Sequence, residues 1–344
     1  MKPSLWNRLP TITAEGLENL EVLLRLVRTF GDELPAACFD SCAQAWAVFD
    51  SLLMKYGSVY GITEGSLRVL RYGLTLFGSA ALPIAPTALN RMSQGFGATG
   101  FPSYLWMAGK IVGQYGDQKD QALHVSMQEL YERSTSKVVS LLQTKSPGDI
   151  PDGNPTLLMM VPWFDTLRLV MEDYVQMLLR FAEQAPDVFF QNAAFENAFK
   201  ASMVALTLVH TDIVFAALEL FRLIFTHDCL DTSVPPALPE LHLYASAIHN
   251  VVDKEGYTFV GYVLTGLVGD FPEESKPLVA SIVRSLAMAW PAQIQVWLRP
   301  VLQQLPVSKV PNEEKSIFLT DITRLVTSQA VCSPCSPGSL QRRE

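Results

Sequence analysis

Apolar residues recur at helical spacing through most of this chain, and no other feature of the sequence constrains the fold as strongly. The first stripe consists of Leu17, Leu20, Leu23, Leu24 and Val27, and a similar stripe runs through residues 39–56. The i, i+3, i+4 spacing places such residues on one face of an α-helix. There is no sustained two-residue alternation, and no Asn-Gly or Asp-Gly turn lies between β-branched runs. The sequence therefore predicts an all-α fold.

The breaks between these helical segments are short and carry glycine or proline, as at Gly116 and Pro186. Short connections force consecutive helices to lie antiparallel. The hairpins start near residues 14, 62, 102, 157, 238 and 276, at irregular intervals of roughly 40 residues, the period of HEAT and armadillo repeats. We therefore predict a HEAT/armadillo-like α-α superhelix of roughly seven hairpins over residues 1–328. A globular helical bundle is the alternative.

Several segments carry narrower expectations. The glycine-rich run Gly95–Gly100 predicts a loop between helices, and residues 238–253 and 257–270 predict two separate helices. Residues 145–169 begin with a run of glycine, proline and aspartate, which predicts a loop or an insertion. Residues 329–344 predict an unpacked, disordered tail.

Composition limits the class of function. Apolar residues make up 49% of the chain and charged residues 17%, with a net charge of −8, which excludes intrinsic disorder and argues against a nucleic-acid binder with a basic surface. The most apolar stretch, residues 203–225, contains His210, Asp212, Glu219 and Arg222, so it does not predict a membrane span. We expect neither a direct nucleic-acid partner nor a membrane partner.

The sequence contains no recognisable catalytic or metal-binding pattern. There is no phosphate-binding loop and no dinucleotide fingerprint. His242 and His249 lack a carboxylate motif, and the pair Cys332 and Cys335 supplies two of the four ligands that zinc needs. We therefore expect no enzyme activity, no metal and no cofactor.

Two arginines stand out in the helix that follows Thr63. Arg68 and Arg71 are three residues apart and lie on one helical face. A solvated face is the ordinary explanation of such a pair. A binding stripe for anionic or phosphorylated groups is the alternative, because guanidinium groups form bidentate hydrogen bonds with phosphate. The spacing alone does not separate the two.

The segment around these arginines resembles the arginine-rich cargo helix of transportin-SR, a nuclear import receptor of the importin-β superfamily related to the fungal mRNA transport regulators. The likeness covers the run from Glu64 to Gly78. It continues in Tyr104-Leu-Trp-Met-Ala-Gly-Lys-Ile-Val-Gly-Gln-Tyr-Gly116, and again at Glu172-Asp-Tyr, Leu220-Phe-Arg-Leu-Ile and Trp297-Leu. It extends over most of the chain and corresponds to the C-terminal third of a family member.

The resemblance implies a cargo-binding arch of HEAT repeats and a karyopherin that shuttles between nucleus and cytoplasm through the nuclear pore. It implies protein cargo, either Ser/Arg-rich or RNA-binding proteins, with Arg68 and Arg71 as cargo contacts. It also implies binding to Phe-Gly nucleoporins, and to Ran-GTP if N-terminal repeats exist in the full-length protein. The chain is then expected to be a fragment, the product of a truncated gene model or a shortened paralogue. A helical-repeat scaffold without a transport role is the alternative.

The sequence departs from the family pattern in three places. Gly65 and Thr75 stand where the animal receptor has further arginines, so the resemblance implies a weaker anionic or mixed cargo surface. Residues 153–169 intervene where the family runs almost directly from a Pro-Asp pair like Pro151-Asp152 to Glu172. The residues after Thr327 differ from the family ending.

Overall fold

The computed structural model describes residues 15–22, 37–143, 157–208, 210–231 and 240–332. These residues form helices and connecting turns and contain no strand, which confirms the predicted all-α class. The helices are α1 (15–22), α2 (Ala37–Tyr56), α3 (Tyr60–Phe77), α4 (Ala85–Thr99), α5 (Pro102–Tyr115), α6 (Gln121–Gln143), α7 (Leu157–Gln184), α8 (Pro186–Gln191), α9 (Phe195–Ala205), α10 (Thr211–Phe225), α11 (Glu240–Val268), α12 (Lys276–Ala289), α13 (Gln293–Gln304) and α14 (Asn312–Cys332).

Proline and glycine set several helix boundaries. The helices α4, α5, α8 and α12 each have proline in the first turn, where the missing N–H would have no intrahelical partner. Gly78 follows α3 with φ 51°, and Gly100 follows α4 with φ 73°. Both angles are costly for residues that carry a side chain, so these two glycines end their helices.

The chain divides into two compact units, residues 1–208 and 209–344. In unit 1, α3 packs against α5 and α5 against α7, while α2 packs against α4 and α4 against α6. Each helix therefore lies beside the helix two places along the chain, which produces two layers. This stacking of hairpins is the arrangement expected of a helical-repeat array.

Glycines allow α5 and α7 to lie very close together. A Cβ at Gly109 would lie 3.3 Å from the Met177 Cα, and one at Gly116 would lie 2.9 Å from the Gln184 Cβ. Any larger residue at Gly109 would push the α7 backbone away. The close approach brings the α7 side chains against those of α5.

Aromatic rings fill the core of unit 1 near α6 and α8. The Tyr131 ring stacks on that of Phe181 with a centroid distance of 5.4 Å, and the Phe189 ring lies 5.7 Å from Tyr131. The hydroxyl groups of Tyr174 and Thr135 share a hydrogen bond of 2.9 Å, which satisfies two buried polar groups.

In unit 2, α10 packs against α12, α12 against α14, and α11 against α13, so the same alternation of layers recurs. The buried Trp290 donates a hydrogen bond from Nε1 to Asp253 Oδ1 at 3.0 Å. The buried Lys315 donates from Nζ to the Leu305 carbonyl at 2.6 Å, at the C-terminal end of α13, where the helix dipole favours a cation.

Two sequence-based predictions about glycine are wrong. Gly95 and Gly97 lie inside α4 rather than in a loop, and Gly256 lies inside the continuous helix α11 rather than at a break. A Cβ at Gly95 would lie 2.3 Å from the Tyr104 ring, and one at Gly256 would lie 2.5 Å from the Trp297 ring. Both glycines are compatible with a helix because each leaves space for an aromatic ring from another helix.

One stretch, Tyr60–Thr99, is long and apolar enough to cross a membrane by length and composition alone. Core helices of proteins that do not enter membranes pass the same criterion. Here the stretch is α3, a 3-10 segment at Gly78–Ile84, and α4. It contains three arginines, and Arg91 on α4 pairs with Asp50 on α2 at 2.6 Å. We interpret it as two packed helices.

Two expectations fall largely outside the described residues. Residues 157–169 are helical as the first part of α7, and residues 144–156 are not described. Whether residues 145–169 are an insertion therefore stays a prediction. The helix α14 extends to Cys332, and residues 333–344 are not described, so the disordered tail also stays a prediction.

Candidate functional site: a mixed-charge groove on α3

A groove of about 340 Å³ lies in unit 1 where α3 faces α1, α5 and α7. Its lining combines aromatic side chains with charges of both signs, and we call it the α3 groove. The residues are Glu21, Tyr60, Glu64, Leu67, Arg68, Arg71, Tyr72, Pro102, Ser103, Trp106, Leu169 and Asp173. Both arginines that the sequence singled out line this groove.

Arg68 is exposed, yet two carboxylates already neutralise it. Its guanidinium pairs with Glu64 one helical turn earlier, and it lies 4.0 Å from the Glu21 carboxylate of α1. The Glu64 carboxylate raises the pKa of Arg68 further. An incoming anion would have to compete with these carboxylates.

Arg71 has a different environment. Its guanidinium carbon lies 5.5 Å from the ring centroid of Trp106 and 5.6 Å from that of Tyr72, which is cation–π distance. Among the described residues, Arg71 forms no ion pair with a carboxylate. The aromatic contacts hold the side chain in place and leave the guanidinium hydrogens available to a ligand.

Asp173 brings a carboxylate from α7 into the groove. Burial raises its pKa to about 7, the neighbouring Glu172 adds to the rise, and the Lys110 ammonium opposes it. Burial lowers the pKa of Lys110, and the nearby Arg71 and Arg180 lower it further. Asp173 is therefore a groove carboxyl that gains or loses its proton near neutral pH.

The wall formed by α5 carries a polar atom that the described residues leave unsatisfied. Ser103 Oγ is buried and has no hydrogen-bond partner among them. Buried polar groups are almost always paired in native proteins. Ser103 lines the groove, but because its Oγ is buried a ligand reaches this hydroxyl only after a local side-chain movement.

Tyr60 and Trp106 complete the apolar part of the groove. The exposed Tyr60 ring meets the edge of Phe101 at a centroid distance of 5.3 Å, and the half-buried Trp106 also lies 5.9 Å from the Lys110 ammonium. Such rings give a ligand large contact area with little loss of side-chain entropy.

Packing of α1 explains one departure from the arginine-rich pattern. A Cβ at Gly65 would lie 3.2 Å from the Leu17 Cβ. Leu17 is buried in a cluster with Ile62 and Val69, so a long side chain at position 65 would collide with α1. Position 75 is different, because Thr75 is exposed and its hydroxyl donates to the Arg71 carbonyl at 3.2 Å.

Trp106 and Asp173 line the groove but were not predicted as site residues from the sequence. Asp173 had a recognisable signal, because Glu172 and Asp173 interrupt an apolar run in which Val170, Met171 and Tyr174 are all buried. Trp106 had a weaker signal, as one aromatic residue in an apolar helix. Neither could be assigned to the arginines without knowing how α5 and α7 pack.

Part of the α3 groove lies in a segment that is similar to known proteins. Residues 36–142 match a family model described as the Transportin-3/Importin-13 fourth TPR domain. The matched segment includes Arg68, Arg71 and Trp106. The model names its repeats TPR, whereas the spacing predicted HEAT repeats; both are stacks of two-helix units.

Two further proteins are similar over more of the chain. An uncharacterized protein of Schizosaccharomyces pombe is 20% identical over 290 residues, which cover 82% of this chain and 28% of the relative. A solved structure of importin-13 in its cytosolic state has a TM-score of 0.62 at 10% identity, covering 96% of this chain and 36% of that one. The chain thus spans about a third of the length of either protein. The structural likeness confirms the helical solenoid, and together with the sequence match it supports an importin-β-like karyopherin as the family to which the chain is similar.

Proposed function

We propose that this chain is the cargo-binding part of a nuclear import receptor and that the α3 groove contacts the cargo. The observation that carries the proposal is the meeting of Arg68 and Arg71 with Trp106 and Asp173 in one groove. The match of residues 36–142 to a domain of transportin-3 and importin-13 supports it. The cargo is a Ser/Arg-rich or RNA-binding shuttling protein.

The charges of the groove suit a cargo segment that carries both signs. Arg71 has its hydrogen-bond donors available to a phosphate or carboxylate. Glu21, Glu64 and Asp173 supply acceptors for arginines of the same segment. A segment in which basic residues alternate with acidic or phosphorylated ones pairs with both sets.

The two arginines contribute unequally in this proposal. Arg68 must leave Glu64 before it binds an anion, so the net gain there is small. Arg71 gives up no carboxylate among the described residues and is already oriented by Trp106. We therefore assign the larger share of the contact to Arg71.

The experiment measures the affinity of the chain for a Ser/Arg-rich domain, both unphosphorylated and phosphorylated, and for an RNA-binding domain. We expect Arg71→Glu to weaken binding of the phosphorylated Ser/Arg-rich domain by about tenfold or more, or about 1.4 kcal/mol, and Arg68→Glu to weaken it less. Arg133→Glu is the matched control, because Arg133 is an exposed arginine on α6 that pairs with Glu129. Equal affinities for Arg71→Glu and Arg133→Glu with every probe would sink the assignment.

Transport itself is a second part of the proposal. It includes binding to Phe-Gly nucleoporins, residence in both nucleus and cytoplasm, and binding to Ran-GTP if the full-length protein has N-terminal repeats. A full-length version that binds neither Ran-GTP nor Phe-Gly repeats would favour the alternative of a helical-repeat scaffold without a transport role.

A further inference from the structure

A second groove, of about 660 Å³, lies in unit 2 between α12 and α14, and Leu264 and Leu267 of α11 also line it. We call it the α12–α14 groove. Eight of its lining residues are apolar, two are basic and none is acidic. It shares no residue with the α3 groove.

The apolar walls of this groove have helical spacing. The α14 wall presents Phe318, Ile322 and Leu325, which are four and three residues apart, and the floor on α12 consists of Val279 and Val283. At a rise of about 1.5 Å per residue, the α14 wall extends over about 10 Å, or two helical turns. A groove of this length accommodates apolar side chains from successive turns of another helix.

The rim on α12 is basic. Lys276, Ala280 and Arg284 follow one another at four-residue intervals, so they share one face of α12. Arg284 is exposed and forms no ion pair among the described residues. Lys276 pairs with Glu273, which is itself 81% exposed, so that pair is weak and easily exchanged.

The small side chain between the two cations opens the rim. Ala280 is exposed although it lines the groove, and it leaves a gap through which a partner reaches Val279 and Val283. Both valines are buried beneath it, with exposed fractions of 2% and 7%. The apolar floor, the gap at Ala280 and the unpaired Arg284 therefore lie within two turns of α12.

We propose that the α12–α14 groove binds an amphipathic helix of a protein partner, with apolar residues at i, i+4 and i+7 and carboxylates beside them. The carboxylates pair with Arg284 and Lys276, and the apolar residues pack between α12 and α14. Charge complementarity selects an acidic partner, since both charged residues that line the groove, Lys276 and Arg284, are basic. The inference does not depend on the α3 groove.

The probe is a fluorescein-labelled synthetic helix with three leucines at the proposed spacing and glutamates on the flanking positions. The comparison peptide has lysine in place of each glutamate. Anisotropy titrations with the full chain should give an affinity for the acidic peptide at least tenfold higher than for the basic one. The affinity should fall as salt concentration rises.

Two variants locate the site. Arg284→Glu should weaken binding of the acidic peptide at least tenfold, whereas Arg299→Glu on α13, an exposed arginine outside the groove, should leave it unchanged. Ala280→Trp should block binding by filling the gap. Because Ala280 is exposed, this variant should keep the far-ultraviolet circular dichroism and unfolding midpoint of the unchanged chain.

Three results would overturn the inference. The first is equal binding of the acidic and basic peptides, or equal effects of Arg284→Glu and Arg299→Glu. The second is concentration-dependent self-association that Ala280→Trp abolishes, which would assign the groove to a second copy. The third is peptide binding that requires removal of residues 333–344, which would assign it to the end of this chain.

Discussion

Replacing Gly95 by alanine tests whether the fit between α4 and α5 depends on a missing side chain. The new Cβ would lie 2.3 Å from Cζ, 2.4 Å from Cε1 and 2.8 Å from Cδ1 of the Tyr104 ring. Carbon atoms pack at about 3.5–4.0 Å, so the ring or the helix must move by about 1.2 Å. Tyr104 is only 1% exposed, and its hydroxyl donates a hydrogen bond to the Gly57 carbonyl at 3.1 Å, so the ring has little room to move.

The expected change in the free energy of unfolding follows from two opposing effects. Overpacking of a buried site costs about 1–3 kcal/mol, whereas alanine is favoured over glycine in a helix by about 1 kcal/mol. Gly97 provides the matched control, because it lies in the same helix and an added Cβ would have nothing within 4 Å. The helix preference applies to both variants, so the difference between them isolates the collision with Tyr104.

The assay is urea and thermal unfolding of the full chain, followed by circular dichroism. Gly97→Ala should be as stable as the unchanged chain or more so, and Gly95→Ala should be less stable than Gly97→Ala by about 1–3 kcal/mol. In a unit of this size each kcal/mol corresponds to a shift of about 2–4 °C. Adding Gly95→Ala to a Tyr104→Leu background should carry little extra cost. Equal midpoints for Gly95→Ala and Gly97→Ala would refute the reasoning.

Two further changes test the packing of unit 2 and the electrostatics of the α3 groove. Gly256→Ala should lower the unfolding midpoint because its Cβ would lie 2.5 Å from the Trp297 ring, whereas Gly261→Ala has open space; equal midpoints would contradict the close contact. Asp173→Asn should stabilise the chain more at about pH 8 than at about pH 5. The reason is that the pKa of the Asp173 carboxyl is about 7 in the folded chain and about 3.9 in the unfolded chain. Between these values the folded state holds the extra proton, so the contribution of Asp173 to stability falls as pH rises. Urea unfolding at both pH values measures this, and a pH-independent difference between Asp173→Asn and the unchanged chain would exclude it.

Helix type and order were predictable because they depend on local spacing. The hairpin starts predicted near residues 62, 102 and 276 lie close to the first residues of α3, α5 and α12, which are Tyr60, Pro102 and Lys276. The errors at Gly95 and Gly256 have one cause: glycine normally weakens a helix, yet here it admits a tyrosine or tryptophan ring from another helix. Such a contact depends on tertiary packing, which periodicity does not report.

The binding surface was predictable only in part, for a related reason. Arg68 and Arg71 are visible from spacing because they share one helix. Glu21, Trp106 and Asp173 come from three other helices and meet the arginines only through the packing of α1, α5 and α7 against α3. The difference between Arg68, paired with Glu64, and Arg71, held by aromatic rings, likewise appears only when those helices are in place.

Both grooves follow from the way that equivalent helices stack. Within each unit, a helix packs beside the helix two places along the chain, and neighbouring helices of one layer leave a furrow between their ridges of side chains. In the α3 groove the furrow is lined by charges of both signs, and in the α12–α14 groove by apolar residues with a basic rim. A helical-repeat array therefore changes what it binds by exchanging a few side chains along a furrow, without altering the backbone. The two arginine-to-glutamate variants test this directly. Arg71→Glu should weaken binding only of ligands of the α3 groove, and Arg284→Glu should weaken binding only of the acidic helix. If either variant lost binding at both grooves, the substitution would be disturbing the fold rather than one furrow.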